Sequence, residues 1–511
     1  MGDKWLNASM KSLTRRSFIR WAITSGAALA CPFPLPAAEP ATATSAKRPR
    51  RLTSEAAEIC HKIRDSTAFP LPAPSRAVDV VIVGAGLAGM AVAHALAGAD
   101  FLMLEKEPRI GGNACAETWN GLSYCTGSAW MSFFDQRITD LFKKWKLEPL
   151  PIKGRDAGCF EGKWIRDFWD GRVDSPRIEE LPYNDGVKKG FREFLSEIGK
   201  IDLVKQKAKL DAVPFSNFLR GKPQPLIGYW DQFGLSNWGA DTANSSAFLG
   251  VEAASDWPRD TRFTFEGGLG VVPQRIFDGF PEEMQRRFLL EAPVYQVRRQ
   301  GKRALVYFFK DGQPTCLEAK AVIFCAPKLI ASRVVSGLPV KQRQAMAAMR
   351  YAPYPVYNLC FTKRVADLGY DSYIVGAKHM SDVVQADWVT RGRAVAADQP
   401  QVLTVYAPMR ESERAELLDD DRTLARAERA VAEVLAALPG ASEHLAEVRI
   451  FRRAHAMPMS TPGCYTKLQP LLRADLPPIY FAHSDQIGEV SDLSFAMLAG
   501  IEAVKKAVKH L

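Results

Sequence analysis

Cysteine and histidine are scarce in this chain, at 9 and 7 of 511 residues. No cysteine stands at C-x-x-C spacing or at the Cys/His spacing of a zinc site, which argues against a disulfide framework and against a bound metal. Long apolar runs are lacking too. The run at 21–30 falls far short of the ~20 residues that span a bilayer, and no later segment reaches that length, so no transmembrane anchor is expected in the mature chain. Internal repeats, collagen-like periodicity and heptads are also missing. A broad basic field is absent despite a net charge of +10. Residues 1–51 hold nine bases and two acids, so that segment carries +7 and leaves +3 for the remaining 460 residues. Nothing in that balance supports a nucleic-acid partner.

The basic segment has the grammar of an export leader. Thr14-Arg15-Arg16-Ser17-Phe18-Ile19-Arg20 precedes the short apolar run, and small residues follow at Ala28-Leu29-Ala30 and Pro36-Ala37-Ala38. Paired arginines before Ser-Phe-Ile resemble a twin-arginine signal, the route for proteins exported already folded. The expectation is a signal over 1–38, the twin-arginine (Tat) machinery as partner, and a periplasmic or otherwise exported enzyme. Residues 39–76 read as a linker carrying one short amphipathic helix over 53–64, with a basic tether at 47–51.

From residue 77 the pattern becomes strand, glycine turn, helix, strand. The run 78–83 is almost wholly apolar, as in a parallel strand buried on both faces. A helix of small residues follows at 88–97, then a strand at 101–104. Residues 150–260 read as aromatic-rich and irregular. Eight of the eleven tryptophans, Trp119, Trp130, Trp145, Trp164, Trp169, Trp230, Trp238 and Trp257, fall within 119–257. Strand patterns return at 288–298, 303–309 and 320–326. A long helix spans about 422–438 and stops at Pro439-Gly440, and the chain ends with a strand at 479–482 and a helix from about Leu493.

Gly84-Ala85-Gly86-Leu87-Ala88-Gly89 is a G-x-G-x-x-G between strand and helix. Its glycines suit a tight turn, close backbone approach to a diphosphate and close packing of helix on strand, and the helix N-terminus favours the phosphates. Glu105 stands 21 residues after Gly84, where an acid can bind a ribose hydroxyl pair. An unphosphorylated ribose, hence FAD or NAD, is favoured.

Arg109-Ile110-Gly111-Gly112 follows at once. With it, the chain resembles the flavin-dependent amine oxidase superfamily, which includes protoporphyrinogen oxidases and phytoene desaturase-like enzymes. The resemblance continues in order through Tyr124-Cys125-Thr126-Gly127-Ser128-Ala129-Trp130, Phe265-Glu266-Gly267-Gly268-Leu269, Ala292-Pro293-Val294, Ala321 to Pro327 and Ile479-Tyr480-Phe481-Ala482-His483-Ser484-Asp485. It implies FAD as cofactor and a discontinuous Rossmann-like α/β FAD-binding domain (77–135, 262–335, 455–511). An α+β substrate-binding domain would occupy 136–261 and 336–454. The implied FAD-binding residues are Gly84, Gly86, Leu87, Ala88, Gly89, Glu105, Arg109, Gly111, Gly112, Ser128, Ala129, Val294, Asp485, Leu493 and Ser494. The helix from Leu493 would aim its first N–H groups at the flavin ring.

Three residues depart from the family pattern. Asn113 stands for an arginine, His483 for a glycine, and Val356 occupies the strand position where many relatives carry a lysine; Lys363 nearby reads as a surface residue. Catalytic residues stay unassigned, with Trp130, Val356 and His483 as pocket candidates. His455 and the tryptophans of 160–240 are weaker ones. The resemblance implies an oxidoreductase acting on a small-molecule substrate, first an amine, polyamine or amino acid. Desaturation of a hydrophobic substrate, or a non-catalytic accessory flavoprotein, is the alternative.

Overall fold

The computed structural model describes residues 50–511, apart from 133–134, 153–155, 169–176, 257–261, 386–387, 389–395 and 489. The leader, most of the linker, Trp169 and Trp257 lie outside the described residues.

The apolar run at 78–83 forms the strand Arg76–Val83 at the middle of a parallel sheet. Its neighbours on one side are Phe101–Leu104 and then Phe288–Leu289; on the other lie Gln313–Phe324 and then Ile479–Phe481. Alternate side chains serve opposite faces. Val80 and Ile82 pack with Met90, Met497 and Val504 on one face, while Val81 and Val83 pack with Val334 and Met346 on the other. Both faces are therefore dry, which is why the run carries no polar alternation. The first half of Gln313–Phe324 extends past the parallel strands and pairs with Arg303–Lys310, itself paired with Val294–Gln300, as an antiparallel meander.

A second, mixed sheet runs in the order Arg50–Ser54, Leu445–Arg452, Val356–Phe361, Gln401–Tyr406, Asp382–Val384, Asp371–Ile374, Asp156–Phe160, Lys163–Ile165. Its first strand corrects the linker reading. Arg50–Ser54 pairs in parallel with Leu445–Arg452, and the helix that follows is confined to Glu58–Arg64. Arg50 and Arg51 form ion pairs with Glu428 and Glu117, so this end of the basic tether is pinned.

The stretch read as irregular is largely helical: Asp185–Ile198, Leu203–Asp211, Gln224–Trp238 and Ala247–Asp256. Phe194, Phe215, Trp230, Phe233 and Trp238 form its interior. Those tryptophans are core residues of the helical layer. Among the described residues, no helix is long and apolar enough to cross a membrane.

Candidate functional site: a dinucleotide crevice facing an aromatic wall

The parallel strands diverge in their connections at the carboxyl ends of Arg76–Val83 and Gln313–Phe324, the place where open α/β sheets bind ligands. Gly84 adopts φ +101°, which opens the turn there. A Cβ on Gly89 would lie 2.0 Å from the Gly84 carbonyl oxygen, so the helix Leu87–Ala95 sits directly against the strand end. No side chain caps that helix. The first-turn N–H groups of Leu87, Ala88 and Gly89 thus belong to an uncapped positive helix end, while the Leu87 and Ala88 side chains are buried.

The second glycine pair closes on the first. Gly111 donates its N–H to the Ala85 carbonyl at 2.9 Å, and a Cβ on Gly112 would meet the Gly86 Cα at 3.2 Å. Arg109 turns back and donates to the Gly112 carbonyl at 2.9 Å, holding the loop. Glu105 is buried at the end of its strand; its oxygens accept the N–H groups of Ala85 at 2.7 Å and Glu107 at 2.9 Å. Burial pushes its pKa up against those two hydrogen bonds. Each carboxylate oxygen keeps a further acceptor position, enough for a vicinal diol. The Ala292 N–H donates to the Glu105 carbonyl at 2.8 Å, which brings the segment leading into Val294 beside this strand end.

The segment 125–130 crosses from this crevice to the second sheet and is held there by its carbonyls. Asn358 Nδ2 donates to the Cys125 carbonyl at 3.0 Å, the Tyr406 hydroxyl to Gly127 at 2.6 Å and the Tyr370 hydroxyl to Ala129 at 2.8 Å. Ser128 donates its N–H to the Asn113 carbonyl at 2.9 Å, and Asn113 reaches the Ala456 carbonyl through its own amide at 2.8 Å. Asn113 therefore spends its side chain on the loop at 456. Cys125, Ala129, Ile152, Tyr354, Val356, Tyr370, Val384, Trp388, Tyr406 and Phe451 form one apolar cluster with Trp130 at its margin. Val356 is buried within it, and Lys363 is exposed. Arg262 stacks on the Trp130 ring at 5.5 Å.

Behind this wall lie charges that sequence reading missed. Asp156, Asp371 and Asp382 are buried together with, among the described residues, one cation, Arg262, which reaches Asp156 at 2.6 Å and Asp371 at 3.7 Å. Burial pushes all three carboxyls up, Asp382 to about 6, and the charge of Asp382 adds to the rise at Asp371. Ser236 donates to Asp382 at 2.7 Å and links it to the Tyr354 hydroxyl 3.2 Å away. Each of these acids opens a short strand, and local pattern does not show that the three meet.

The C-terminal motif closes the crevice from the far side. Asp485 is fully buried, and its carboxylate receives the Lys328 ammonium at 3.0 Å, the Lys328 N–H at 2.8 Å and the Tyr351 hydroxyl. Burial alone would raise its pKa, but His483, Lys328 and Tyr351 together hold it well below the usual carboxylate range. The His483 ring lies against Asp485, its Nδ1 3.2 Å from Oδ2, so it buttresses the motif. Leu493 and Ser494 open the helix Leu493–Ala507, yet the Ser494 N–H donates to Asp492 at 2.7 Å. That donor is taken by the cap and is not free for a flavin. His455 lies in the bend after Leu445–Arg452, largely exposed, its pKa lowered to about 4 by desolvation and then by Arg414.

A cradle that excludes Cβ atoms, an uncapped helix end and a buried diol-binding acid at the strand switch point fit a dinucleotide cofactor. Comparison with known proteins agrees. The chain is 22% identical to the oxidoreductase PigB of a Serratia species, over 87% of this chain and 78% of that protein. It is 24% identical to an L-amino acid dehydrogenase of a Synechocystis species, over 53% and 60% respectively. The cyclohexylamine oxidase of Brevibacterium oxydans superposes with a TM-score of 0.66 at 17% identity, over 85% of this chain and 99% of that one. The family of flavin containing amine oxidoreductases matches residues 87–505, so the chain belongs to that family and is an FAD-dependent oxidoreductase.

Proposed function

We propose that this flavoenzyme oxidises an amine-type substrate and works after export to the periplasm. The observation that carries the substrate class is the buried wall of Tyr354, Tyr370, Tyr406 and Trp388, with an excess of carboxylates behind it. Aromatic faces and buried acids attract an ammonium group and exclude water from it. FAD, when bound, supplies the oxidant, accepting a hydride from the carbon beside nitrogen. The chain's own part is to hold the dinucleotide in the glycine cradle, to keep segment 125–130 against the aromatic wall and to orient the substrate. The relatives named as amino acid and amine oxidising enzymes support the same class.

Anaerobic mixing tests it. An amine or amino acid is expected to bleach the visible flavin absorbance of the purified holoprotein. If dithionite bleaches it and no amine, polyamine or amino acid does, the amine reading fails; bleaching by a hydrophobic polyene instead would favour C–C dehydrogenation. The export reading rests on the succession Arg15-Arg16-Ser17-Phe18-Ile19, then the apolar run and the small-residue exits. Folding around FAD before crossing the membrane suits that route.

A further inference from the structure

The N-terminal strand reaches the ribose acid through one residue. Arg50–Ser54 lies on the edge of the second sheet, and Arg452 fixes its end by donating to the Ser54 hydroxyl at 2.6 and 2.9 Å. Arg453 pairs with Glu55 at 3.4 Å. Beyond Ala56, the helix Glu58–Arg64 is tied down as well. Its Ile63 packs against the face that holds Val81 and Val83, and the Arg64 carbonyl accepts Arg333 at 3.2 Å. Ala56 is therefore held from both sides before it makes any contact of its own.

Both backbone groups of Ala56 engage the loop that follows Glu105. Its N–H donates to Glu107 Oε1 at 3.0 Å, and its carbonyl accepts the Lys106 ammonium at 3.2 Å. Lys106 also pairs with Glu107 Oε1, which closes a ring of three bonds. Glu107 is buried, and its own N–H is one of the two donors that orient the Glu105 carboxylate, at 2.9 Å. From the opposite side, Glu291 and Ala292 donate their N–H groups to the Glu107 and Glu105 carbonyls at 3.2 and 2.8 Å. The carboxylate that takes the diol thus hangs on a loop gripped between two distant segments. A two-point contact to a diol tolerates little misplacement, since both hydroxyls must meet their acceptors at once.

We propose that Ala56, Lys106 and Glu107 form a clamp that positions Glu105 for the adenosine ribose. They act through Glu105, with Glu107 as the positioning residue. The proposal rests on Glu105 being the acid that takes the diol. It makes the segment just before the dinucleotide domain responsible for selecting a complete ribose.

The test titrates full-length protein, stripped of flavin and checked for native circular dichroism, with ADP and with 2′-deoxy-ADP by calorimetry. Wild type is expected to prefer ADP about tenfold, the worth of one hydrogen bond to a charged acceptor. Glu107→Ala keeps the backbone N–H on Glu105 and removes only the clamp. It should bind ADP about five- to tenfold more weakly and 2′-deoxy-ADP within about twofold of wild type, so the preference collapses. Should that variant fail to fold, Ala56→Pro opens the same ring by deleting its N–H donor and carries the same expectation. Equal loss of both nucleotides would mean that the ring serves only the fold, and an unchanged preference that Glu105 needs no clamp. Either result overturns the proposal. A wild type that binds both nucleotides alike, or neither, would remove Glu105 as the diol acid and the clamp's purpose with it.

Discussion

Gly89 leaves no room for a methyl group, because its Cβ would lie 2.0 Å from a backbone carbonyl that cannot swing aside. Gly89→Ala is expected to cost about 1–3 kcal/mol of stability through forced separation of helix and strand. The variant should also purify with little flavin. A protein that keeps a full flavin complement would show that the cradle does not hold the cofactor. Single residues set the pH response as well. The pKa values of His94 and His455 are each lowered from 6.5 to about 4, in both cases by burial first and then by a neighbouring cation, Lys144 or Arg414. The unfolded chain takes up those protons below about pH 6.5 while the folded chain refuses them, so stability is lost as pH falls from there toward 4. His94 is half-buried and His455 exposed, and solvent screening limits the effect to at most about 2 kcal/mol for His94 and less for His455. His455→Gln should flatten the acid limb of urea midpoints measured between neutral and mildly acidic pH; an unchanged limb would refute the assignment. Asp382 acts in the opposite sense. Its pKa of about 6 keeps a proton that the unfolded chain has released, so its contribution declines as pH rises from about 4 through 6.

At the scale of elements, the helix Leu493–Ala507 depends on its ends and its smallest residue. Asp492 caps it through the Ser494 N–H and also accepts the Ser132 N–H at 2.8 Å, tying the C-terminal helix to the segment after Trp130. Asp492→Ala is expected to lower stability by about 1–2 kcal/mol, read as a drop in the thermal midpoint. Unchanged melting would show that the cap is dispensable. The same helix packs on Leu87–Ala95 so closely that a Cβ on Gly500 would meet the Ala88 carbonyl at 2.4 Å. Elements with one dry face, or two, were readable in the chain: the strand at 78–83 and the helix at 422–438 stand close to where their patterns put them. Others left no pattern. Gln224–Trp238 buries Leu226, Tyr229, Trp230, Gln232, Phe233 and Trp238 on several sides, so no polar face marks its period. Arg50–Ser54 is exposed except at Leu52 and owes its strand form to the edge of Leu445–Arg452, a partner almost four hundred residues away.

Across the whole molecule, Arg262 joins parts that no local pattern connects. It lies on Arg262–Thr264, just before the chain re-enters the parallel sheet, and it neutralises acids on two strands of the other sheet. Arg262→Met is expected to destabilise the protein by about 3–5 kcal/mol, since it strands buried carboxylates without their cation. Partial recovery in Arg262→Met/Asp156→Leu would separate that charge penalty from lost packing. The proposed export signal makes a prediction for the whole chain. Arg15→Lys/Arg16→Lys in the full chain should leave flavin content intact and retain the protein on the inner side of the membrane, by fractionation; continued export would refute the twin-arginine reading.

The sequence by itself determined the dinucleotide turn, the second glycine pair and the order of the flavin motifs. Those are local demands: a turn that only glycine allows, a helix end that must face an anion, a strand dry on both faces. The strand Val356–Phe361 buries Val356 in the aromatic cluster. Tertiary structure alone decided the rest. Lys328 meets Asp485 across 157 positions, Tyr370 and Tyr406 meet the 125–129 segment across more than two hundred, and Arg262 meets Asp156 across 106. Whether a buried charge is an error or a partner depends on which counter-charge the fold brings to it, because desolvation is local while its compensation comes from distant strands.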